Sequence, residues 1–533
     1  MVVRAEELAK KHREISVAEF FEKNRHLLGF DNKKKALLTA VREAVDNALD
    51  ACEESDVLPE ISVEIIDMQN DRFRVIIEDN GPGVVKGQIP KIFAKLLYGS
   101  KFHSLKQSRG QQGIGISAAA LYAQLTTGRP IKIKSKISPT SPSHYYELHI
   151  DTQKNEPEII KDVEVEWKKD HGTRIELDLE ASYGKGVQSV DEYLKETAIV
   201  NPHATIIYTN PKAEQIIFPR IIKEMPKEPK EIKPHPYGVE IGMIIKMMGW
   251  TTSKTLQQFL TTDFSRVGAK SAKEICERAG VLPKTKPKAV SREQAERLIK
   301  AIKETKLVAP PTDCITAIGS DLLGKGLKKE VTAEFYCSTT RSPSVYRGNP
   351  FQIEAAIAYG GDLDKEGAVR IMRFANRVPL LYQQSACAMT KSIVETNWRN
   401  YGLNQSSGSI PTGPAIILIH IASVWTPFTS EAKEAIAHYP EIIKEIKLAI
   451  QECGRLLLRY VGKKRRMQAE FAKRSYIEKY IPHVADALRE LLELKQVDEH
   501  KIKTILKEIL EKQRGKLDVN AMSKEVEKID EKE

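Results

Sequence analysis

The stretch EAVDNALDA, residues 43–51, decides the reading of this chain. It lies within KKKALLTAVREAVDNALDACEE, residues 33–54, whose apolar positions recur with the 3.6-residue period of a helix. Asp31 is the expected N-cap. On a wheel of about 100° per residue, Leu38, Val41, Val45, Ala48 and Cys52 fall on one side. Glu43, Asp46, Asn47 and Asp50 fall in one narrow stripe on the other. A solvated helix face usually mixes charge signs. This stripe holds three carboxylates and an amide, and no lysine stands between Glu43 and Asp50. Clustered acids repel unless something positive sits among them. A hard cation such as Mg²⁺, with oxygen ligands from carboxylate or amide and from phosphates, suits the pattern.

Outward from this helix, ISVEII (61–66) and FRVIIE (73–78) read as strands around the turn MQND. Next comes Asp79-Asn80-Gly81-Pro82-Gly83, a turn by its Asn-Gly and Pro-Gly pairs. A carboxylate at the end of a strand can accept from an exocyclic amine, and Gly81 and Gly83 would let a flat ring approach the backbone. The run Arg109-Gly110-Gln111-Gln112-Gly113-Ile114-Gly115-Ile116-Ser117 then leads into a helix, SAAALYAQLTT. Glycines before a helix N-terminus expose N–H groups to phosphate. No Gly-Lys-Ser/Thr follows, so this is not a Walker A loop. No strand runs directly into it with an acid about 20 residues on, so it is not a dinucleotide fingerprint. IKIKSKI, YYELHI, VEVEW and TRIELDL read as further strands, the last in Asp170-His171-Gly172-Thr173-Arg174-Ile175-Glu176-Leu177. Several antiparallel strands against a few helices make an α+β layer.

The chain has 533 residues, 83 basic against 72 acidic, for a net charge of +11 and a pI near 9.0. At about 100–200 residues per domain, the length calls for three to four. Hydrophobic residues at 41% and charged residues at 29% exclude a disordered chain. No apolar run approaches the ~18–20 residues that span a bilayer. The start, MVVRAEELAKKHREIS, has no apolar core of a signal peptide, so we expect a cytoplasmic protein. The six scattered cysteines suit a reducing compartment and argue against structural zinc. The positive charge permits a polyanionic partner without naming one.

The order EAVDNALDA, DNGPG, glycine-rich loop, HGTRIEL resembles the nucleotide-binding fold shared by gyrase, the heat-shock-90 chaperones, histidine kinases and MutL, over about residues 20–220. The resemblance implies ATP as ligand. Glu43 would then be the general base and Asn47 the Mg²⁺ ligand, with Asp46 and Asp50 beside them. Asp79 would bind the adenine amine at the Gly81–Gly83 turn, and Thr173 would support the ring. Gly110, Gly113 and Gly115, with Arg109, Gln111, Gln112, Ile114, Ile116 and Ser117, would wrap the triphosphate. Ser100 and Lys101 resemble a ribose and phosphate neighbour. Histidine kinases lack the hydrolytic Glu, so Glu43 favours an ATP hydrolase. Physically, Glu43 and Asn47 are i, i+4 and share one helix face. An oriented water, a base and charge at the transferring phosphoryl group are the requirements.

Prolines at 226–236 (PKEPKEIKPHP) and at Pro310–Pro311 mark boundaries. Residues 237–306 read as short helices, ending in VSREQAERLIKAIKET. Beyond 310, EVTAEFYCS and AIILIHIAS read as strands. EGAVRIMRFANRV and EAIAHYPEIIKEIKLAIQECGRLLLRYV read as helices, and a charged helix begins near 464. PFTSEAK, with Lys433 after a strand and a proline turn, resembles the transducer lysine that reaches the γ-phosphate in type II topoisomerases and MutL. Together with RFANRVPLLY and PHPYGVEIG, it resembles the B subunits of the type IIB enzymes, topoisomerase VI. Ala432 stands where some members carry Gly. FSRVGAKSAKEICERAGV resembles a helix-two-turns-helix module, which gyrase and MutL lack at this place.

The resemblance implies an α+β chain in five parts. These are an N-terminal strap (1–20), a Bergerat-type ATP-binding α/β sandwich (21–228) and a helix-two-turns-helix insert (229–308). A transducer domain of ribosomal S5-like α+β fold (309–470) and a C-terminal helical extension (471–533) follow. It implies ATP-dependent homodimerisation, an A2B2 heterotetramer with the DNA-cleaving topoisomerase VI A subunit, and duplex DNA as partner, with no membrane. No nucleophilic Tyr with an acidic metal site is found in this chain. Residues 463–479 hold seven basic and two acidic residues, a candidate phosphate-contacting face. A mismatch-repair or chaperone ATPase clamp of the same superfamily is the alternative, and the insert at 237–306 argues against it.

Overall fold

The computed structural model describes residues 8–9, 12, 14–101, 104–110, 113–492 and 496–514. Gln111, Gln112, most of the expected strap before residue 14 and the tail after 514 lie outside the described residues.

The helix over Lys33–Glu54 forms as its periodicity predicts; we call it α2, after a short α1 at Val17–Lys23. Its N-cap is Asn32 rather than Asp31: the Asn32 side chain accepts from the Lys35 N–H at 2.9 Å. Asp31 instead pairs with Lys35 Nζ at 2.9 Å, one turn on. Leu37, Leu38, Val41, Val45 and Leu49 are buried on the sheet side, each contributing roughly 1.5–3 kcal/mol relative to exposure.

That sheet has eight strands in the order β5-β4-β3-β6-β2-β1-β7-β8. The strands are β1 (Glu60–Asp67), β2 (Arg72–Glu78), β3 (Ile131–Lys136), β4 (Ser143–Asp151), β5 (Glu156–Val165), β6 (Gly172–Glu180), β7 (Thr205–Thr209) and β8 (Gln215–Phe218). Every pairing is antiparallel except β1 with β7. β3, reading IKIKSK, alternates buried and half-buried residues as a strand with one covered face should. α2, α3 (Ile89–Ala94), α4 (Gly115–Thr127) and α5 (Val190–Val200) share one apolar core with that face.

Residues 239–302 carry a separate core, built by α6 (Ile241–Trp250), α7 (Leu256–Thr262), α8 (Ala269–Ala279) and α9 (Arg292–Glu304). α10 (Ser320–Glu330) then precedes a six-stranded sheet in the order β10-β11-β14-β12-β13, with β9 on β11. These are β9 (Phe335–Thr340), β10 (Ser344–Tyr346), β11 (Asn349–Tyr359), β12 (Arg370–Ala375), β13 (Val378–Pro379) and β14 (Ala415–Ser423). β14 is buried at all nine positions, and α11 (Ala388–Val394) precedes it in the chain. Ile199 and Val200 of α5 pack in one cluster with Leu323 and Leu327 of α10, which joins the two layers.

Three expectations are corrected here. EGAVRIMRFANRV is not a helix but the β12–β13 hairpin, paired parallel with β14. A strand buried on both faces shows a near-continuous apolar run, which periodicity alone does not separate from a buried helix. EVTAEFYCS divides between the end of α10 and β9. The helix expected from 434 starts at Pro440, the favoured first-turn position for proline, and runs to Leu491 as α12. From Leu458 onward the chain forms its own compact unit: the rest of α12 and α13 (Gln496–Arg514). In that unit Tyr476 and Tyr480 contact ring to ring at 4.8 Å. No helix among the described residues is long and apolar enough to cross a membrane. All six cysteines are free thiols.

Candidate nucleotide site

α2, the Asp79 turn, the glycine-rich loop and the segment after β14 enclose a cavity of about 560 Å³. Of the residues singled out from sequence, Glu43, Asn47, Asp50, Asp79, Ser100, Lys101, Gly110, Gly113, Ile114, Gly115, Ile116, Thr173 and Lys433 line it. Asp46, Gly81, Gly83, Arg109 and Ser117 do not.

On one wall stands Glu43. Its Oε1 accepts from Arg42 Nη2 at 2.8 Å and Nε at 3.2 Å. Gly115 must lack a side chain, because a Cβ there would fall on the Glu43 carboxylate at Oε2. Burial works to raise the Glu43 pKa, but the charges of Lys433 and Arg42 outweigh it and hold the carboxylate below its usual range. Asn47, one turn on, is the exposed residue in a helix otherwise covered from Ala36 to Asp50. Its Oδ1 faces Gly110. Among the described residues no three His, Cys, Asp or Glu side chains gather as a metal cage. A single exposed amide oxygen fits a Mg²⁺ held chiefly by phosphate oxygens and water.

Asp79 also lines the cavity. Its Oδ1 accepts from the N–H of Gly81 at 2.8 Å and of Thr173 at 3.2 Å. Burial pushes its pKa up to about 6, against those two bonds. Thr173 Oγ1 lies 3.3 Å from Ser135 Oγ. Gly83 has φ +72° and backs onto the Lys136 carbonyl, so it shapes the turn rather than meeting a ring.

α4 begins at Gly115 with no capping side chain, and Gly115, Ile116 and Ala118 of its first turn line the cavity. Ser117 is buried and donates back to the Ile114 carbonyl at 3.0 Å. Arg109 is a buried strut: Nη1 meets Asp50 at 2.8 Å, and Nη2 meets Glu53 and Asn201, both at 2.6 Å. Asp50 also takes Lys101 Nζ at 2.6 Å, so its charge is spent inside the protein. Asp46 turns away, accepts from Tyr193 at 2.9 Å, and is pushed to about pKa 7 by burial and by Glu43.

The last wall comes from far along the chain. After β14 the segment 424–437 turns back on itself, with Phe428 bridged to Ile436. Lys433 sits at φ +54° and sends Nζ to the Arg109 carbonyl at 3.2 Å. Ala432 is not in the left-handed region, so no glycine is needed there, and its carbonyl accepts from Arg42 Nη1 at 3.3 Å. Glu434 anchors the segment on Lys35 Nζ at 2.5 Å.

Residues 32–182 match the family described as histidine kinase-, DNA gyrase B-, and HSP90-like ATPase, and residues 310–473 match the topoisomerase VI B subunit transducer. The B subunit of type 2 DNA topoisomerase 6 from Methanococcoides burtonii is 53% identical over 490 residues, covering 92% of this chain and 79% of that one. Its counterpart in Methanosarcina mazei is 54% identical over the same shares, and that of Archaeoglobus fulgidus 48% over 91% and 81%. The chain belongs to the family of type 2 DNA topoisomerase 6 B subunits. Its nucleotide-binding half is therefore of the gyrase-like ATPase kind. Among solved structures, the gyrase B 43K ATPase domain of Thermus thermophilus aligns at TM-score 0.39 and 10% identity, covering 90% of this chain and 98% of that one.

Sequence reasoning missed two features of this cavity. Arg42 is one, although it adjoins Glu43; its second partner lies 390 residues away. The other is the apolar lining from Phe30, Ile92 and Phe93, which carry no motif of their own.

Proposed function

We propose that this chain is the ATP-hydrolysing B subunit of a type IIB DNA topoisomerase. The adenine amine would meet Asp79, with Thr173 beside it. The triphosphate would lie along Gly110–Gly115 against the uncapped start of α4. Mg²⁺ bound at Asn47 would offset charge on the phosphates. Glu43, kept ionised by Arg42 and Lys433, would take the proton of the attacking water through Oε2, since Arg42 occupies Oε1. Lys433 would leave the Arg109 carbonyl for the terminal phosphate and stabilise the charge that develops there.

The observation that carries this reading is the origin of Lys433. It belongs to the segment leaving β14 of the second sheet, yet it faces the base on α2 of the first. A group so placed ties occupancy of the phosphate site to the position of the second layer. ATP binding would then pair two copies of the chain and rotate the transducer half, in an A2B2 assembly whose A subunits cut the duplex. The domain limits near 228, 308 and 470 are part of this proposal, as is a cytoplasmic location.

Duplex DNA would be held through phosphates. Residues 463–479 hold seven basic and two acidic residues, and residues 237–306 hold 14 basic against 7 acidic. The test is relaxation of supercoiled DNA by this chain together with the DNA-cleaving A subunit. Relaxation is expected only with ATP and Mg²⁺; none under any condition would remove the topoisomerase reading.

A further inference from the structure

The β12–β13 hairpin ends in Asn376–Arg377, both in the left-handed region at φ +48° and +66°. Such turns suit hairpins and asparagine tolerates them, whereas a long side chain such as that of Arg377 adopts the region at a cost. Both residues are buried. Arg377 is poorly served there: its Nε has no hydrogen-bond partner among the described residues, and its Nη1 is 3.9 Å from Glu53. A strained tip with an underpaired buried cation is not explained by stability.

What the tip touches explains it. Asn376 Nδ2 donates to the Ser108 carbonyl at 3.0 Å and to the Ser423 carbonyl at 2.9 Å. Its Oδ1 accepts from the Ser423 N–H at 2.8 Å. Ser108 stands two residues before Gly110. Ser423 is the last residue of β14, ten residues before Lys433. One side-chain amide thus ties the root of the phosphate loop to the strand that delivers Lys433. Asn201 adds a second link, accepting from Arg109 at 2.6 Å and donating to the Arg377 carbonyl at 3.4 Å. A cavity of about 50 Å³ opens at this seam, bounded by Glu53, Ser108, Arg109, Asn376 and Arg377 among others.

We propose that Asn376 is a positioning residue that sets the glycine-rich loop for the triphosphate, and that the hairpin tip links the loop to the second sheet. This rests on the ATP-site reading above. Asn376 touches no part of the cavity that would hold the adenine, so its effect is confined to the phosphates.

The test is Asn376→Asp in the full chain, assembled with the A subunit. Aspartate keeps the shape and tolerates the turn, but turns an acceptor toward two carbonyls. The dissociation constants of a non-hydrolysable ATP analogue and of adenosine are measured. We expect the analogue to weaken about tenfold, since the bond that holds the loop at Ser108 is lost, and adenosine to stay within about twofold. Asn376→Gly, which keeps the turn and deletes the amide, should weaken the analogue several-fold; it serves if the aspartate variant does not fold. Equal weakening of both ligands, or of neither, overturns the positioning role. Wild-type protein that binds adenosine and the analogue equally, or binds neither, removes the ATP-site reading itself.

Discussion

Two carboxylates line the cavity, Glu43 and Asp79, and their surroundings push them in opposite directions. Burial raises Asp79 to about 6, against two backbone N–H bonds and the more distant charge of Lys169. Glu43 is half-buried, and Lys433 and Arg42 pull it below the usual range against its own desolvation. A base must be ionised before it can take a proton. A carboxylate that accepts from a neutral amine needs shape and dryness more than charge. Diverging pKa values separate roles within one site.

The largest test of that contrast is Glu43→Gln, which keeps the fold and the Arg42 contact but cannot take a proton. ATP turnover should fall at least about 100-fold with ATP binding retained; unchanged turnover would refute the base assignment. Next is Lys433→Ala, for which we expect turnover to fall about 10–100-fold. Because Lys433 lowers the Glu43 pKa, its removal raises it, and the acid limb of the residual rate profile should move to higher pH. An unmoved limb with a wild-type rate would separate Lys433 from the base.

Asp79→Asn should have a smaller and mixed effect. ATP affinity should fall about tenfold, as an acceptor for the adenine amine becomes a donor. Stability should rise. The folded pKa of Asp79 lies above its unfolded value near 3.8, so folding loses stability as pH rises from about 4 through 6. Removing the charge should return about 1–3 kcal/mol at pH 7, read by thermal unfolding at pH 7 and at pH 4, with the gain absent at pH 4. Asp46→Asn sharpens the contrast from below. Asp46 shares the helix stripe with Glu43 but faces Tyr193, so ATP affinity and turnover should stay within about twofold. A tenfold loss would return Asp46 to the site.

Much of the first layer is legible in sequence because its signals are local. The bounds of α2 follow from period, β1 and β2 from flanking turns, and the glycine-rich loop from its place before a helix. The acidic stripe was legible only as a stripe. That Glu43 and Asn47 open to the cavity, that Asp50 lines it with its charge paired, and that Asp46 turns away depend on Tyr193, Lys101 and Arg109, none adjacent in sequence. The second layer hid more. β12 reads as a helix because it is covered on both faces and holds Arg373 buried, with Nη2 donating to the Leu380 carbonyl at 2.7 Å and to that of Tyr382 at 2.8 Å. The Asn376 link spans 268 residues, beyond any local pattern.

The most direct measurement is a crystal structure of the chain with a non-hydrolysable ATP analogue and Mg²⁺. The account predicts two chains closed on each other, the adenine amine on Asp79, and Lys433 Nζ moved from the Arg109 carbonyl to the terminal phosphate. A bound triphosphate with Lys433 still on that carbonyl would contradict it.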